Sequence, residues 1–431
     1  MKNVSFCRRA MLASGIALAL AGTPALAGDD SFTIAVIPDT QNYIDYTHQT
    51  AEGFPFDASK MFLDQMQYVA DNVVSRGGDI AFVTSLGDVW QHQTLAIDPE
   101  HEKRGFRRAP NPAMDAHFAP TEKVRTVEMP TAHKGFDLLN GKVPFSVVPG
   151  NHDHDAMWTD ANHPPAAKPD FNDMSSMGLL HAGGLTNFTS VFGSDSAFFK
   201  DKNWYVDSFN KGADSAQIFT AGGYRFLHIG LQFDAPSDAL AWAASVIKRY
   251  PGLPTIISMH DFLDTDGRRL ANPIIDNSVI DPEDNSPQMM WDKFISQNDQ
   301  IFMVLCGHEH AQAYRVDDNR FGHKVYQILS DYQGRSQTLK DAGGKVGPLE
   351  GIGDGWMRLM TFDMAAATPS VKVKTYSTHY KKNSVDTPEY SDWYKAHEKP
   401  KLTDAQFNAG DDFSISLDDF RKRFDKAGKA H

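Results

Sequence analysis

Five short apolar segments of this 431-residue chain end in the same way, with a polar residue that can bind a metal ion directly after the apolar run. Residues 31–38 (SFTIAVIP) precede Asp39, and residues 79–86 (DIAFVTSL) precede Gly87 and Asp88. The other three are residues 143–148 before Gly150-Asn151-His152, residues 254–259 before His260, and residues 301–306 before Gly307-His308. Short apolar runs rich in β-branched residues predict buried β-strands.

Helical patterns separate several of these strands. Residues 58–76, 238–249 and 288–296 have the apolar spacing of helices, and residues 217–233 resemble a β-hairpin that turns at Gly222-Gly223. Residues 356–363 and 370–376 are further strand candidates. Because ligands gather beyond the carboxyl ends of strands in such sheets, we expect an α/β (α+β layered) fold: a mixed β-sandwich flanked by α-helices.

Three long polar stretches interrupt this pattern, at residues 91–130, 153–202 and 261–287. Loops of that length are usually functional or disordered, and each follows a predicted strand of the site. We therefore expect them to form the walls of a pocket. Residues 381–431 form a charged extension, with a possible strand at 413–417 and a possible helix at 418–426, and we expect it to pack on the main domain, residues 28–380.

The first 27 residues have the composition of a cleavable export signal. Three basic residues precede an apolar run at residues 11–21, and small residues at 23–27 follow it. The run is shorter than the roughly 20 residues that span a bilayer, so we expect no membrane span after its removal. Arg8-Arg9 resembles a twin-arginine signal, although an ordinary signal explains it equally well. We expect a periplasmic or secreted protein.

Charge and cysteine content restrict the mature chain further. The formal charge is −13, and loss of Lys2, Arg8 and Arg9 with residues 1–27 makes it −16. Such a balance disfavours binding to a nucleic-acid scaffold, but bound divalent cations would still allow a small anionic substrate. Cys7 and Cys306 are the two cysteines, and Cys7 lies in the signal, so the mature chain has no internal disulfide.

The strand ends carry a mixed set of metal donors. Carboxylate, amide oxygen and imidazole groups together suit first-row divalent ions, and their number fits two metal ions. Mn, Zn and Fe all remain candidates for these ions. The donors are Asp39, Gln41, Asp88, Asn151, His260, His308 and His310.

In order and content these motifs resemble those of the calcineurin-like metallophosphoesterase family, over roughly residues 32–376. The motifs are Asp39-x-Gln41, Gly87-Asp88, Gly150-Asn151-His152-Asp153, His260 and Gly307-His308-x-His310. The resemblance implies a metallophosphoesterase catalytic domain at residues 28–380. It also implies one metal ion on Asp39, Gln41 and His310, a second on Asn151, His260 and His308, and Asp88 bridging both.

The resemblance also implies that His152 contacts the phosphate or the leaving oxygen. Adjacent side chains diverge, so with Asn151 as a ligand His152 would be free to protonate the leaving alkoxide. Asp153, or another carboxylate, would orient its imidazole. Two features depart from the family: Gln41 stands where a histidine is common, and Val89-Trp90 stands where a second acid is frequent. Trp90 is expected to pack or to line the pocket.

Several residues of the long stretches are weaker candidates. We expect His92, His101, His117 and His154 to be solvated. The basic residues Arg104, Arg107 and Arg108 more often form a solvated surface than a contact with a distal anion. Residues 281–285 lack the spacing of a calcium loop and predict a turn.

The sequence therefore predicts an exported metal-dependent hydrolase of phosphate mono- or diesters that uses a hydroxide bridging two metal ions. An alternative is a degenerate site in which Gln41 leaves one metal position empty, in an exported binding protein without hydrolase activity. A third possibility is a metal hydrolase of carboxylic esters or amides.

Overall fold

A computed structural model describes residues 30–347 and 349–430. Within these residues the strands are β1 (Ser31–Ile37), β2 (Ile80–Ser85), β3 (Phe145–Val147), β4 (Ala156–Thr159), β5 (Leu180–Gly183), β6 (Tyr205–Phe209), β7 (Asp214–Ala221), β8 (Tyr224–Gly230), β9 (Thr255–Ser258), β10 (Ile301–Cys306), β11 (Gln312–Asp318), β12 (Lys324–Ser330), β13 (Trp356–Asp363), β14 (Ser370–Ser377), β15 (Lys382–Asn383) and β16 (Phe413–Ser416). The α-helices are α1 (Gln41–Ile44), α2 (Ser59–Asp71), α3 (Pro99–Lys103), α4 (Pro112–His117), α5 (Met129–Asp137), α6 (Thr186–Phe192), α7 (Ser237–Arg249), α8 (Asn277–Ile280), α9 (Pro287–Met290), α10 (Gln337–Asp341), α11 (Tyr390–Glu398), α12 (Asp404–Ala409) and α13 (Phe420–Phe424).

The strands form two large mixed sheets and a small two-stranded one. The first sheet has the order β15-β14-β13-β1-β2-β3, with β16 also paired to β14. Strands β1, β2 and β3 are parallel, whereas β13 is antiparallel to β1. The second sheet has the order β11-β12-β10-β9-β8-β7-β6, in which β8, β9, β10 and β12 are parallel. The predicted mixed α/β architecture is therefore confirmed.

The two large sheets pack face to face through aromatic and aliphatic side chains. Phe82 of β2 stacks on Phe219 of β7 with ring centroids 4.4 Å apart, and Phe32 of β1 lies 5.3 Å from Phe226 of β8. Burying large aromatic rings in this way is a strong hydrophobic contribution to folding. On the outer faces, α2 and α5 cover the first sheet, and α7 and α9 cover the second.

The predicted hairpin at residues 217–233 corresponds to β7 and β8, which turn at Gly222 and Gly223, both with positive φ. The predicted helix at residues 58–76 is shorter, because the Asn72 side chain donates to the carbonyl of Tyr68 (2.7 Å) and ends the helix at Asp71. The predicted helix at 288–296 is α9, which continues as a wider turn over Trp291–Ile295.

Residues 381–430 add to the first sheet and to its core. Strand β16 pairs with β14, and Tyr390 and Tyr394 of α11 pack against Trp356 of β13. The buried Arg335 side chain meets Glu398 at the end of α11, at 2.6 and 3.0 Å. This C-terminal segment thus shares both a sheet and a core with the preceding residues.

The predicted signal segment, residues 1–27, lies outside the described residues. Among residues 30–347 and 349–430, no helix combines the length and the apolar character needed to cross a membrane.

Candidate metal centre

The carboxyl ends of strands from both sheets meet at one edge of the molecule. Strands β1, β2 and β3 deliver Asp39, Asp88 and Asn151 from the first sheet, and β9 and β10 deliver His260 and His308 from the second. All five side chains are buried. The structure thus brings together five of the seven predicted metal ligands directly at the strand ends.

His260 lies at the centre of this group. Its Nδ1 donates to the carbonyl oxygen of Leu86 (2.8 Å), an assignment that leaves a lone pair on Nε2. Three atoms surround Nε2: Oδ2 of Asp88 at 3.2 Å, Oδ1 of Asn151 at 3.0 Å and Nδ1 of His308 at 3.0 Å. Both oxygens are acceptors, so the lone pairs in this arrangement repel one another unless a positive charge lies between them. This donor set fits a divalent cation, and Asp88, His260 and His308 form one of the groups that could hold one.

The electrostatics of these groups also favour positive charge. Burial opposes protonation of His260, yet the carboxylates of Asp88 and Asp39 raise its pKa well above the ordinary value. Burial would raise the pKa of Asp88, but His260 and His152 lower it. The pKa of Asp39 is raised well above its usual range by burial and by the nearby carboxylate of Asp331. A metal ion would replace the proton that this acidic surrounding attracts.

Glycines permit the close approach of the strand ends. A Cβ on Gly150 would lie 2.2 Å from Oδ1 of Asp88, and a Cβ on Gly307 would lie 2.2 Å from Oδ1 of Asp39. Asp88 and His308 themselves have positive φ values of 48° and 72°. Such backbone strain in non-glycine residues concentrates at functional sites, where the surrounding structure holds it in place.

Asp39 and Gln41 lie beside this group. The Asp39 carboxylate accepts from the backbone N–H of His308 (3.2 Å), and Nε2 of Gln41 donates to Oδ2 of Asp88 (3.2 Å). Oε1 of Gln41 is buried and has no hydrogen-bond partner among the described residues. An unpaired buried oxygen is costly, and a cation beside it would satisfy it.

His310, the seventh predicted ligand, lies at the rim of the site. Its side chain is exposed and lies over Gly334, with Nδ1 3.2 Å from the position of a Cβ on that glycine. It lines the same cavity as Asp88 and His308. His310 is therefore close to the centre but outside the group of atoms that surrounds His260.

Sequence reasoning missed Asp331 and Gln333. Asp331 follows β12 and is fully buried; its Oδ2 accepts from Nε2 of Gln333 (3.2 Å), which also lies 3.5 Å from Oδ2 of Asp39. Residues 324–330 (KVYQILS) contain four apolar residues, interrupted by Gln327, and an aspartate follows them. This is a weaker form of the signal that identified the other five strand ends.

His152 faces the cavity beside the strand-end side chains. Its Nδ1 lies 2.6 Å from the carbonyl oxygen of Gln91 and donates to it, which leaves Nε2 as the acceptor nitrogen of the neutral ring. Its backbone N–H donates to Oδ1 of Asp88 (2.8 Å), and Phe118 lies edge-on to its ring. A main-chain carbonyl and an aromatic ring thus fix this imidazole.

The expectation that Asp153 orients His152 needs correction. The Asp153 carboxylate is fully buried and accepts from the backbone N–H groups of Val89 (2.8 Å), Trp90 (3.3 Å) and Gly150 (2.8 Å). Its two oxygens are engaged in joining the loop after β2 to the loop after β3. Asp153 therefore has a structural role in holding the ligand loops, and the Gln91 carbonyl performs the orienting role.

A cavity of about 440 Å³ opens above these residues. Residues from all three long polar stretches line it, as do His397 and Glu398 of α11. The prediction that these stretches form pocket walls is thus confirmed. The floor is polar, whereas the walls are mainly apolar: Met114, Phe118, Met157, Phe171, Met174, Leu180, Pro273, Ile274 and Ile275.

The weaker candidates lie elsewhere. His92 is buried and pairs with Glu128 (2.8 Å), and His154 is buried with Nδ1 3.0 Å from the carbonyl of Gly150, so the expectation that they are solvated is wrong.

Trp90 is buried in the hydrophobic core, which agrees with the first of the two expectations, that it packs. The arginines are engaged outside the cavity: Arg104 with Asp281, Arg107 with backbone carbonyls and Arg108 with Asp115.

No model of a known protein family matches this chain. A curated protein of Bacillus subtilis (strain 168), the uncharacterized protein YvnB, is 24% identical over 396 residues, which is 90% of this chain and 22% of that relative. The chain thus spans about a fifth of the length of the curated relative it matches. The name of that relative states no activity.

Proposed function

We propose that this protein is an exported, metal-dependent hydrolase of phosphate mono- or diesters. The observation that carries the proposal is the convergence of Asp88, Asn151 and His308 on Nε2 of His260, with His152 at the edge of the same cavity. A phosphate ester repels hydroxide, so its hydrolysis requires positive charge and a nucleophile in one place.

The donors are numerous enough to hold two metal ions, and Asp88 would contribute to both. Asn151, His260 and His308 would hold one ion, and Asp39, Gln41 and His310 would hold the other, with the unpaired Oε1 of Gln41 as a donor. Mn, Zn and Fe all suit this set of oxygen and nitrogen donors. When bound, such ions supply the positive charge that stabilises the transition state and that activates water.

His152 would supply a proton to the leaving oxygen. Its Nδ1 is engaged with the carbonyl of Gln91 (2.6 Å), so Nε2 is the atom that gains and donates the proton. The carbonyl accepts a hydrogen bond from Nδ1 in both protonation states of the ring, so the ring keeps its orientation while it transfers the proton. The Phe118 ring beside it limits the access of water from one side.

The apolar walls favour an ester with an apolar or aromatic group. Side chains such as Phe171, Met174 and Ile274 offer no charge to a polar substituent, whereas they would bury an aryl or alkyl group. We therefore propose that the phosphate binds at the polar floor and that the organic group lies along these walls.

The test is turnover of 4-nitrophenyl phosphate and of bis(4-nitrophenyl) phosphate by the mature protein, after metal removal and reloading with manganese, zinc or iron. We expect metal-dependent turnover that is lost in Asp88→Asn and kept in Asp195→Asn, a change at an exposed carboxylate. Turnover of a carboxylic ester but of neither phosphate ester would reject the proposed substrate class.

A binding protein with one metal ion is the second candidate, and one observation favours it. The donors on the Asp39 side are sparser, because Gln41 is neutral and His310 is exposed. The metal content that is lost when two strand-end ligands are removed together, in Asp88→Asn/His260→Ala, separates the two candidates. One ion at the strand ends and no turnover of any ester would support the binding protein, whereas two ions there would support the hydrolase.

A further inference from the structure

A second group of metal-binding side chains lies in the long polar stretches, away from the strand ends. It consists of His101 on α3, His181 on β5 and Asp281 after α8, whose ligand atoms lie within 4.8 Å of one another. We propose that this group, together with Asp284, binds a divalent cation such as zinc. The bound ion would hold the wall segments of the main cavity together. The proposal is independent of the proposed hydrolase activity.

The orientation of His101 suits metal binding. Its Nδ1 lies 2.5 Å from Oδ2 of Asp98 and donates to it, which leaves Nε2 as the free nitrogen. Nε2 lies 3.7 Å from Oδ2 of Asp281, too far for a hydrogen bond but compatible with two ligands of one ion. A carboxylate behind a metal-binding imidazole is a common way to fix the ring and increase its basicity.

His181 supplies the independent observation that points to a ligand. The residue is fully buried, and neither ring nitrogen has a hydrogen-bond partner among the described residues. Its Nε2 faces Oδ2 of Asp284 at 4.0 Å. Burial of the whole ring favours its neutral form, which is the form that binds metal. A buried imidazole without partners is costly, and a cation bound at Nε2 would reduce that cost.

The excess of carboxyl groups around these ligands also favours a divalent cation. Asp98, Asp281 and Asp284 bring three carboxyl groups to this region and Glu283 brings a fourth, whereas Arg104 supplies one positive charge through contacts of 2.7 and 2.8 Å with Asp281 and 3.5 Å with Glu283. Carboxyl groups therefore outnumber the guanidinium, which favours the binding of a cation. The Arg104 contact is compatible with this ion because each carboxylate oxygen can accept from more than one partner.

Three of the four proposed ligands can be reached from a cavity. A second cavity, of about 330 Å³, is lined by His101, Asp281 and Asp284 among other residues. Imidazole and carboxylate ligands together are typical of zinc, which also tolerates the tight surroundings of a structural site.

The group joins the three stretches that form the main cavity. His181 neighbours Leu180, which lines that cavity and whose N–H donates to the carbonyl of Ile274 (2.7 Å). His101 and Asp281 belong to the first and third stretches. A bound ion would therefore hold all three walls in one arrangement.

A third group of side chains with metal-binding atoms consists of Asp45, His92 and Glu128. Unlike the group around His181, it is already hydrogen-bonded. There, Nδ1 of His92 donates to Glu128 (2.8 Å), and the same carboxylate accepts from three backbone N–H groups at 3.1, 3.2 and 3.2 Å. Hydrogen bonds already compensate that carboxylate and that ring nitrogen. We assign no metal to that group.

The test measures the number of zinc ions per chain in the mature protein at fixed free zinc. We expect one ion fewer in His181→Phe and in His101→Phe than in the unaltered protein. The matched control is His133→Phe, an exposed histidine that also lies against a phenylalanine, and its zinc content should stay unchanged. Equal zinc content in folded His181→Phe and unaltered protein would overturn the proposal.

A second measurement covers the case in which these variants fail to fold. The double variant Asp88→Asn/His260→Ala removes ligands of the strand-end centre and leaves the second group intact. We expect it to keep one zinc ion per chain with His and carboxylate ligands in the X-ray absorption spectrum. A double variant that is folded but binds no zinc would contradict the proposal, whatever the outcome for the hydrolase activity.

Discussion

His152 and His260 make the same kind of hydrogen bond through Nδ1 but differ in the surroundings of Nε2. In both, Nδ1 donates to a main-chain carbonyl oxygen, of Gln91 or of Leu86. Nε2 of His260 is then surrounded by Asp88, Asn151 and His308, whereas His152 lines the cavity. The same tautomer therefore suits metal binding in one residue and proton transfer in the other.

The role proposed for His152 leads to a prediction about leaving groups. In His152→Ala we expect the rate with an alkyl phosphate to fall roughly 10²- to 10⁴-fold, the usual contribution of a general acid. The loss should be much smaller with a nitrophenyl ester, because nitrophenolate leaves without a proton. Rates with both esters, together with the metal content, provide the measurement.

Metal content distinguishes this role from a structural one. We expect His152→Ala to keep the metal content of the unaltered protein, and His323→Ala, a change near the surface, to keep both rate and metal content. Equal losses with both esters would show that His152 does not protonate the leaving group.

For single residues, the sequence predicted which polar side chains follow the buried strands better than it predicted what those side chains contact. The donors at strand ends were recognisable because each followed an apolar run. The correction at Asp153 could not be foreseen, because the backbone groups that it binds, Val89 and Gly150, are brought together by the pairing of β2 with β3. The unpaired nitrogens of His181 likewise depend on burial by segments distant in sequence.

Between the elements, His228 links the two sheets. Its Nε2 lies 2.8 Å from Oγ of Ser258 on β9, which accepts from the hydroxyl of Thr84 on β2 (2.9 Å), and its Nδ1 lies 2.8 Å from Oε1 of Gln217. These polar groups lie in an otherwise apolar interior. Because they satisfy one another, their burial is compatible with a stable core.

Because His228 is buried in this network, we expect the free energy of unfolding to decrease at acidic pH. Burial lowers the pKa of His228 to about 3, below the unfolded value of about 6.5. The unfolded state thus binds more protons between these values, and stability falls as the pH drops from 6.5 towards 3. At pH 5 this group alone should cost about 2 kcal/mol relative to pH 7.5. Urea unfolding of the metal-free protein at both pH values measures the loss.

The variant His228→Gln isolates this contribution, since glutamine does not titrate. We expect it to be less stable than the unaltered protein at pH 7.5 but to lose less stability between pH 7.5 and pH 5. His133→Gln, at an exposed position, should keep the original pH dependence. An unchanged pH dependence in His228→Gln would remove this histidine as the cause.

Strand prediction was accurate where the apolar runs were continuous and less so elsewhere. Strands β1, β2, β9 and β10 lie close to their predicted places because they are buried on both faces. Strand β11 was missed, since its residues (QAYRVDD) are partly exposed and polar. Pairing with β12, rather than local composition, makes that segment extended.

For the whole molecule, the least predictable feature was the set of contacts that place the C-terminal segment beside the site. Charged residues at 381–431 gave a reason to expect an extension but no reason to place it beside the cavity. These contacts depend on Arg335, which is buried among aromatic rings and forms an ion pair with Glu398. Asp411 lies 3.7 Å from Arg335 and 3.7 Å from Arg358, so two buried arginines depend on this segment.

A chain that ends at Tyr380 is therefore expected not to fold. Breaking a buried ion pair by removing one partner costs about 3–5 kcal/mol, and the truncation leaves both Arg335 and Arg358 without their carboxylates. It also removes β16 from β14 and exposes the aromatic cluster around Trp356. Since a domain has about 5–15 kcal/mol of stability in total, these losses are enough to unfold it.

Solubility, circular dichroism and cooperative urea unfolding of the truncated chain test this expectation. Coexpression of residues 381–431 as a separate chain is the matched control, because it returns Glu398, Asp411 and β16 without restoring the covalent link. We expect it to recover soluble, folded protein. A truncated chain that unfolds cooperatively and keeps its metal content would show that the C-terminal segment is dispensable for both fold and site, because the buried arginines would then have found other partners.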